Sequence, residues 1–308
     1  MKRLLALVCA LALLVATHVG PARAVGGVGP LLMGTGSSGP TPPGGYTLWA
    51  DPSYKFAPSP APLTAGTWTT HDSNAWPLRE GYHSFITQSG YQCESSHDTS
   101  CLDLTSGSLA GRTVSLWNQT VPGVLIVWAP AVELLTSSVL TSATAWTVAE
   151  VFRYDGNETD CLYGSANQPE LLGSFVGSHA GFSMGVCVNP ADTTAIGLAG
   201  YVSSGNTATT YGAHGSAALP HYGIVWADTV GSTTTIHAQI DNNAPASTVV
   251  GGTPDVFMSQ PVTIGCGEAC ADYYFTGLTG DSFIYPTSSP TIVSGLQKYF
   301  GTKYGLAH

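Results

Sequence analysis

The stretch from Tyr222 to Asn243, YGIVWADTVGSTTTIHAQIDNN, constrains the fold of this chain more than any other. Tyr222, Ile224 and Trp226 alternate with smaller residues, and Asp228-Thr229-Val230-Gly231-Ser232 then breaks the run. Thr233 to Ile240 resumes it, with Thr235, His237 and Gln239 on one side and Thr234, Ile236, Ala238 and Ile240 on the other. Successive strand side chains point to opposite faces, so this alternation bounded by turn residues predicts a half-buried antiparallel hairpin. Asp241-Asn242-Asn243 are turn formers, and Thr248-Val249-Val250 starts a further strand.

The same pattern recurs along the chain. Tyr46 to Tyr54 reads as a short strand with a stop, and Thr67 to Thr70, Ser84 to Thr87 and Thr113 to Trp117 as further strands. Val124 to Trp128 is a continuous apolar run, as expected of a central strand buried on both faces. Trp146 to Tyr154 is the longest alternating strand, and Asp155-Gly156 ends it with a hairpin signal. Leu171 to Val176, Phe182 to Val188, Thr194 to Val202, Val262 to Ile264 and Asp281 to Tyr285 continue the series. At the C-terminus Ser289-Pro290 supplies an N-cap and a first-turn proline. Ile292, Val293, Leu296, Tyr299 and Phe300 follow at helical spacing, and Gly305 is the stop. Many short strands and one terminal helix predict an all-β chain, an antiparallel β-sandwich closed by one short helix.

Composition supplies the compartment. Charged residues make up only 9% of 308, as in secreted β-rich proteins rather than cytosolic enzymes. Lys2 and Arg3 precede an apolar run from Leu4 to Ala16, and Ala22-Arg23-Ala24 is a signal-peptidase site. Residues 1–24 are expected to be removed, and the protein to be secreted or periplasmic. Cys9 follows Val8 and lies inside the apolar run, unlike a lipid-attachment cysteine. Loss of Lys2, Arg3 and Arg23 deepens the net charge from −10 to −13. An acidic surface disfavours nucleic acid and anionic membranes, and no later segment is long and apolar enough for membrane insertion. Residues 25–45, VGGVGPLLMGTGSSGPTPPGG, read as a Gly/Pro-rich linker, leaving 46–308 as the folded domain. Six cysteines remain, an even number in an oxidising compartment. Proximity in sequence favours Cys93–Cys101, Cys161–Cys187 and Cys266–Cys270 among the fifteen pairings. Asn118-Gln-Thr and Asn157-Glu-Thr are glycosylation sequons.

The order of WTVAEVFRYDG, LYGS, HYGIVWADTVGSTTTIHAQIDNN, PVTIGCG and FTGLTGDSFIYPTSSPTIVSGLQKYFGTKYGL resembles the concanavalin A-like lectin/glucanase jelly rolls, specifically their laminin-G-like modules. The resemblance covers residues 46–306. Its anchors are Ile240-Asp241-Asn242, Thr263-Ile264-Gly265, Lys303-Tyr304-Gly305 and Trp49-Ala-Asp-Pro-Ser53. It implies a jelly-roll fold, which hosts lectins, hydrolases, lyases and adhesive modules alike, so function must be argued from a site.

Four chemistries deserve weighing. Gly181-Phe-Ser183-Met-Gly185 matches the esterase elbow, which needs a strand-turn-helix context. The alternation of Phe182, Met184, Val186 and Val188 reads as plain strand instead. The E-x-D-x-x-E of jelly-roll glycosidases is missing from the sequence. Glu150, on the face of Trp146, Val148, Phe152 and Tyr154, is the one candidate general acid. Arg153, Gln239, His237 and Tyr222 are lyase residue types, but His237 and Gln239 stand in reversed order. Laminin-G and lectin modules often hold calcium, which wants hard oxygen ligands. Asp241, Asn242 and Asn243 are the candidate metal ligands. The nine histidines show no metal spacing.

Recognition is the reading favoured by the fold resemblance: a glycan or a cell-surface or extracellular protein bound by exposed aromatics beside polar loop residues. The segment from Tyr201 to Tyr222 reads as a long polar loop and offers Tyr201, Asn206, Tyr211 and His214; Trp76 and Tyr82 lie in another. A carbohydrate-active hydrolase or lyase, and a structural coat or matrix protein, are the alternatives.

Overall fold

The computed structural model describes residues 39–52, 56–57, 66–69, 71, 75–78, 86–88, 91–93, 103–109, 112–118, 132–134, 145–156, 170–176, 180–202, 206–211, 219–250, 262–265, 275 and 277–306. In chain order these form β1 (Leu48–Ala50), β2 (Phe56–Ala57), β3 (Gly66–Thr69), β4 (Ala75–Leu78), β5 (Ile86–Gln88), β6 (Tyr91–Cys93), β7 (Asp103–Leu109), β8 (Arg112–Asn118), β9 (Val132–Leu134) and β10 (Trp146–Tyr154). They continue with β11 (Glu170–Val176), β12 (Ala180–Asn189), β13 (Asp192–Val202), β14 (Asn206–Tyr211), β15 (His221–Val230), β16 (Thr233–Ile240), β17 (Ala246–Val250), β18 (Val262–Ile264), β19 (Gly277–Tyr285) and the helix α1 (Pro290–Tyr304).

Two antiparallel sheets carry the fold. The larger runs β17-β16-β15-β10-β19-β8-β7, with β1 added on β19; the smaller runs β14-β13-β12-β11-β18-β9. Trp146, Val148, Val225, Ala227, Ile236 and Ile240 of the larger sheet meet Phe182, Met184, Val186, Leu198 and Ile264 of the smaller in one buried core. The opposite face of the larger sheet presents Ala149, Val151, Tyr222, Ile224, Phe283 and Tyr285, which pack on Leu296, Tyr299 and Phe300 of α1. The order is therefore sheet, sheet, helix, and the all-β sandwich with one terminal helix is what the sequence pattern demands. Strand β19 is buried at every position, because one face meets the smaller sheet and the other lies under the helix.

The helix forms where its caps require. Ser289 is extended and its Oγ accepts the Ile292 N–H at 3.2 Å, Pro290 opens the first turn, and Gly305 closes at φ 69. Only glycine takes that left-handed φ cheaply.

Three expectations change. The break expected at Asp228–Ser232 is shorter: β15 continues to Val230, Val230 pairs with Thr233, and Gly231-Ser232 alone make the turn. A two-residue turn matches the strand twist, and Gly231 supplies the positive φ of 65. Asp155-Gly156 does end β10, but not in a hairpin, since β10 pairs with β15 and β19 and β11 belongs to the other sheet. A turn-forming pair marks where a strand stops, not which strand it pairs with next. The chain also joins the fold earlier than Tyr46. Tyr285 donates its hydroxyl to the Pro43 carbonyl at 2.9 Å.

The run from Val124 to Trp128 lies outside the described residues. Among the described residues no helix is long and apolar enough to cross a membrane. Cys187 is buried and disulfide-bonded; the side chains of the other six cysteines lie outside the described residues, so its pairing with Cys161 stays an expectation.

Candidate functional site

The outer face of the hairpin leads to the site. Parity sends Val225, Ala227, Ile236, Ala238 and Ile240 into the sandwich. It leaves Trp226, Asp228, His237 and Gln239 on the helix side. The helix covers the middle of this sheet but not its β17 end. Between α1 and the uncovered strands lies an open cleft of about 430 Å³. Trp226, Asp228 and Gln239 line it from the sheet, and Val293, Ser294 and Gln297 from the helix. Helical spacing puts those last three on one edge of α1.

A cross-strand row fixes the aromatic floor. Trp226 pairs in register with His237, and His237 with Ser247. The Trp226 and His237 rings are stacked, 4.8 Å apart and 12° from parallel. His237 Nδ1 and Ser247 Oγ are hydrogen-bonded at 2.6 Å. His237 Nε2 lies 3.2 Å from Asp228 Oδ2. The Ser247 bond holds the imidazole on one side, while Nε2 lies near Asp228 without a formed hydrogen bond, and the ring backs the indole. Gln239 is anchored by its Nε2, which donates to the Asn243 carbonyl at 2.8 Å. Asp228 keeps 46% of its side chain exposed. One stacked indole, one carboxylate, two amides and three serines make a shallow surface suited to a flat, polyhydroxylated ligand.

Of the residues expected to bind ligand, Tyr201 is the one whose side chain is described, and it is buried. Tyr201 is 2% exposed, packed with Cys187 and Ala199, because β13 extends to Val202 and takes it into the sheet. The segment read as one long loop holds β14, which Asn206 opens and Tyr211 closes. Trp76 stands in β4; the side chains of Trp76, Asn206 and Tyr211, and the whole of Tyr82 and His214, lie outside the description.

Asp241 has a local task. It is the only described non-glycine residue with positive φ, at 50. Its Oδ1 accepts the Tyr222 N–H at 3.0 Å, and its Oδ2 lies 2.6 Å from His221 Nδ1. Both carboxylate oxygens, wanted as calcium ligands, are engaged in locking the hairpin end. Asn242 is exposed and Asn243 half-buried beside it. Among the described residues no three His, Cys, Asp or Glu side chains are placed to hold a metal ion.

Glu150 has no exposed surface. It is fully buried in β10, in register with Gly223 and Ser282. A Cβ built at Gly223 would meet Leu198 and Met184 of the opposite sheet, so this row points into the sandwich. Burial pushes the Glu150 carboxyl well above its ordinary value, while the Ser282 and Thr279 hydroxyls pull weakly the other way. Neither of its oxygens has a hydrogen-bond partner of good geometry. With no exposed surface, Glu150 is out of reach of a substrate in this structure, which speaks against the acid reading. Ser183 of the G-x-S-x-G match is buried mid-strand in β12, opposite Tyr201, which is the strand context and not an elbow.

A second polar cluster lies under the C-terminal half of α1. Lys303 Nζ reaches Asp51 Oδ2 and Asp281 Oδ2, each at 2.8 Å. Tyr299 donates its hydroxyl to Asp281, and the Asp281 N–H donates to Tyr304 Oη at 3.0 Å. His71, stacked on Trp49 at 3.6 Å, approaches Asp51 at 3.4 Å. With side-chain exposures of 9%, 7% and 0% for Lys303, Asp51 and Asp281, the cluster is closed on itself and ties the helix to β1 and β19.

No protein-family model and no curated relative matches the chain. Solved structures do. Domain 4 of AbnA, a GH43 extracellular arabinanase from Geobacillus stearothermophilus in complex with arabinotriose, is similar over 82% of this chain and 98% of that one, at 10% identity and a TM-score of 0.47. The binding domain of botulinum neurotoxin serotype G is similar over 83% of this chain and 50% of that one, at 10% identity and a TM-score of 0.47. The CBM40 of a Ruminococcus gnavus IT-sialidase is similar over 52% of this chain and 84% of that one, at 12% identity and a TM-score of 0.36. At these TM-scores the fold rests on the strands above, and the site on its own geometry.

Proposed function

We propose that the protein is a secreted recognition module, not a catalyst, that binds a glycan in the cleft between α1 and the outer face of β15 and β16. One observation carries the reading: Trp226 lines an open cleft with its ring stacked on His237 and a carboxylate and an amide on the same sheet face. A sugar ring offers an apolar C–H face to an indole and hydroxyls to the polar groups around it. The backing by His237, held by Ser247, lowers the ordering cost of binding. Export follows from the basic and apolar N-terminal residues and the Ala22-Arg23-Ala24 site. The test is a glycan-array profile of the secreted chain, with calcium and with chelator, for the wild type and Trp226→Ala. The reading expects defined hits, unchanged by chelator and lost in Trp226→Ala. An empty array would move the ligand to an extracellular protein partner. Hits that survive in Trp226→Ala would place the site elsewhere.

A further inference from the structure

The cleft carries one ionic side chain. Asp228 lines it, and among the described residues no lysine or arginine does. The described cations are occupied or do not line it. Arg153 is held by Asp155 at 2.6 Å, and Lys303 lies with Asp51 and Asp281 under the other end of α1. Lys298 follows Gln297 on the helix but does not line the cleft. His237 Nε2 lies 3.2 Å from Asp228 Oδ2, and its other ring nitrogen is bonded to Ser247. The whole chain is acidic, at −10, so no background field offsets the local charge.

We infer that Asp228 sets the charge class of the ligand: the cleft takes an uncharged saccharide, whose ring lies on Trp226 and whose neighbouring hydroxyls donate to the Asp228 carboxylate, and turns away sugars bearing a carboxylate. A carboxylate accepts but cannot donate, so it suits a pair of sugar hydroxyls. A sialic or uronic acid brought to the same place adds a like charge without a cation to receive it. Such juxtaposition is the repulsive element on which specificity often rests. This inference rests on the glycan reading of the cleft.

The experiment is an array printed with matched pairs, each neutral oligosaccharide beside the same chain capped by a sialic or uronic acid. It is read with the full chain as wild type and as Asp228→Asn, at about 0.05 M and about 0.5 M salt. The wild type is expected to prefer the neutral member by about fivefold, the preference shrinking at high salt and in Asp228→Asn. The ratio within each pair is internal to one protein, so partial misfolding of a variant cannot mimic the change. Equal or stronger binding of the capped members by the wild type overturns the inference, as does an unchanged ratio in Asp228→Asn; either leaves the glycan reading standing. No binding to any member overturns the glycan reading and the inference with it.

Discussion

The ammonium of Lys303 lies 2.8 Å from Oδ2 of Asp281, a carboxylate with no exposed side-chain surface. Asp51 shares the same ammonium at 2.8 Å. Two acids from β19 and the β1 end therefore meet on one cation from the helix. The grip is strong because it is dry: removing the cation leaves two buried acids facing each other.

Lys303→Met is expected to cost about 3–5 kcal/mol at pH 8, the usual penalty for breaking a buried pair from one side. The loss should be smaller at pH 5, where Asp281 holds a proton. Urea unfolding at the two pH values measures both. A loss under about 1 kcal/mol at pH 8 would mean that the cluster behaves as a surface pair.

The pH dependence of stability should carry the mark of two buried acids. Burial, and then Asp51, push the Asp281 carboxyl from 3.8 up to about 7, against the pull of Lys303. Burial likewise raises Glu150 well above 4.5. In both cases the folded state keeps a proton that the unfolded chain has released. Each contribution is fully present below the unfolded value and is lost as pH rises through the folded one. For Asp281 that window runs from 3.8 to about 7. Asp281→Asn and Glu150→Gln should each flatten the fall in urea midpoint across it. Slopes parallel to the wild type would contradict this.

Asp241→Ala should destabilise by about 2–4 kcal/mol, through two lost hydrogen bonds and an alanine forced to positive φ. Asp241→Gly relieves the backbone but not the bonds, so it should recover about 1 kcal/mol of that loss. Thermal unfolding of the two variants decides the matter. Equal losses would show that backbone strain plays no part.

Much of the architecture was legible because it follows from periodicity. The parity of Thr235, His237 and Gln239 against Ile236, Ala238 and Ile240 told the outer face from the core. Ser289-Pro290 and Gly305 marked the helix to the residue. Strand pairing was not legible at Asp155-Gly156, since a turn signal is local and pairing is not. The proposed cleft was not legible for the same reason. Polar composition drew attention to the segment after Tyr201, part of which is the strand β14. The cleft needs α1 laid beside β15, about sixty residues away in sequence. The signal that could have found it was present: Trp226 and Asp228 share a strand face with each other and with the His237 side of the hairpin. Glu150 misled in turn, because an acid on an aromatic face looks the same in sequence whether that face lines a groove or the sandwich interior.

The measurement that tests the cleft most directly is a ¹H–¹⁵N titration of the labelled chain with an array-selected neutral oligosaccharide. The cleft predicts that the Trp226 indole and the Gln239 and Gln297 side-chain amides shift together and saturate with one affinity. Shifts confined to Trp76, Asn206, Tyr211 and His214, with Trp226 unmoved, would contradict it.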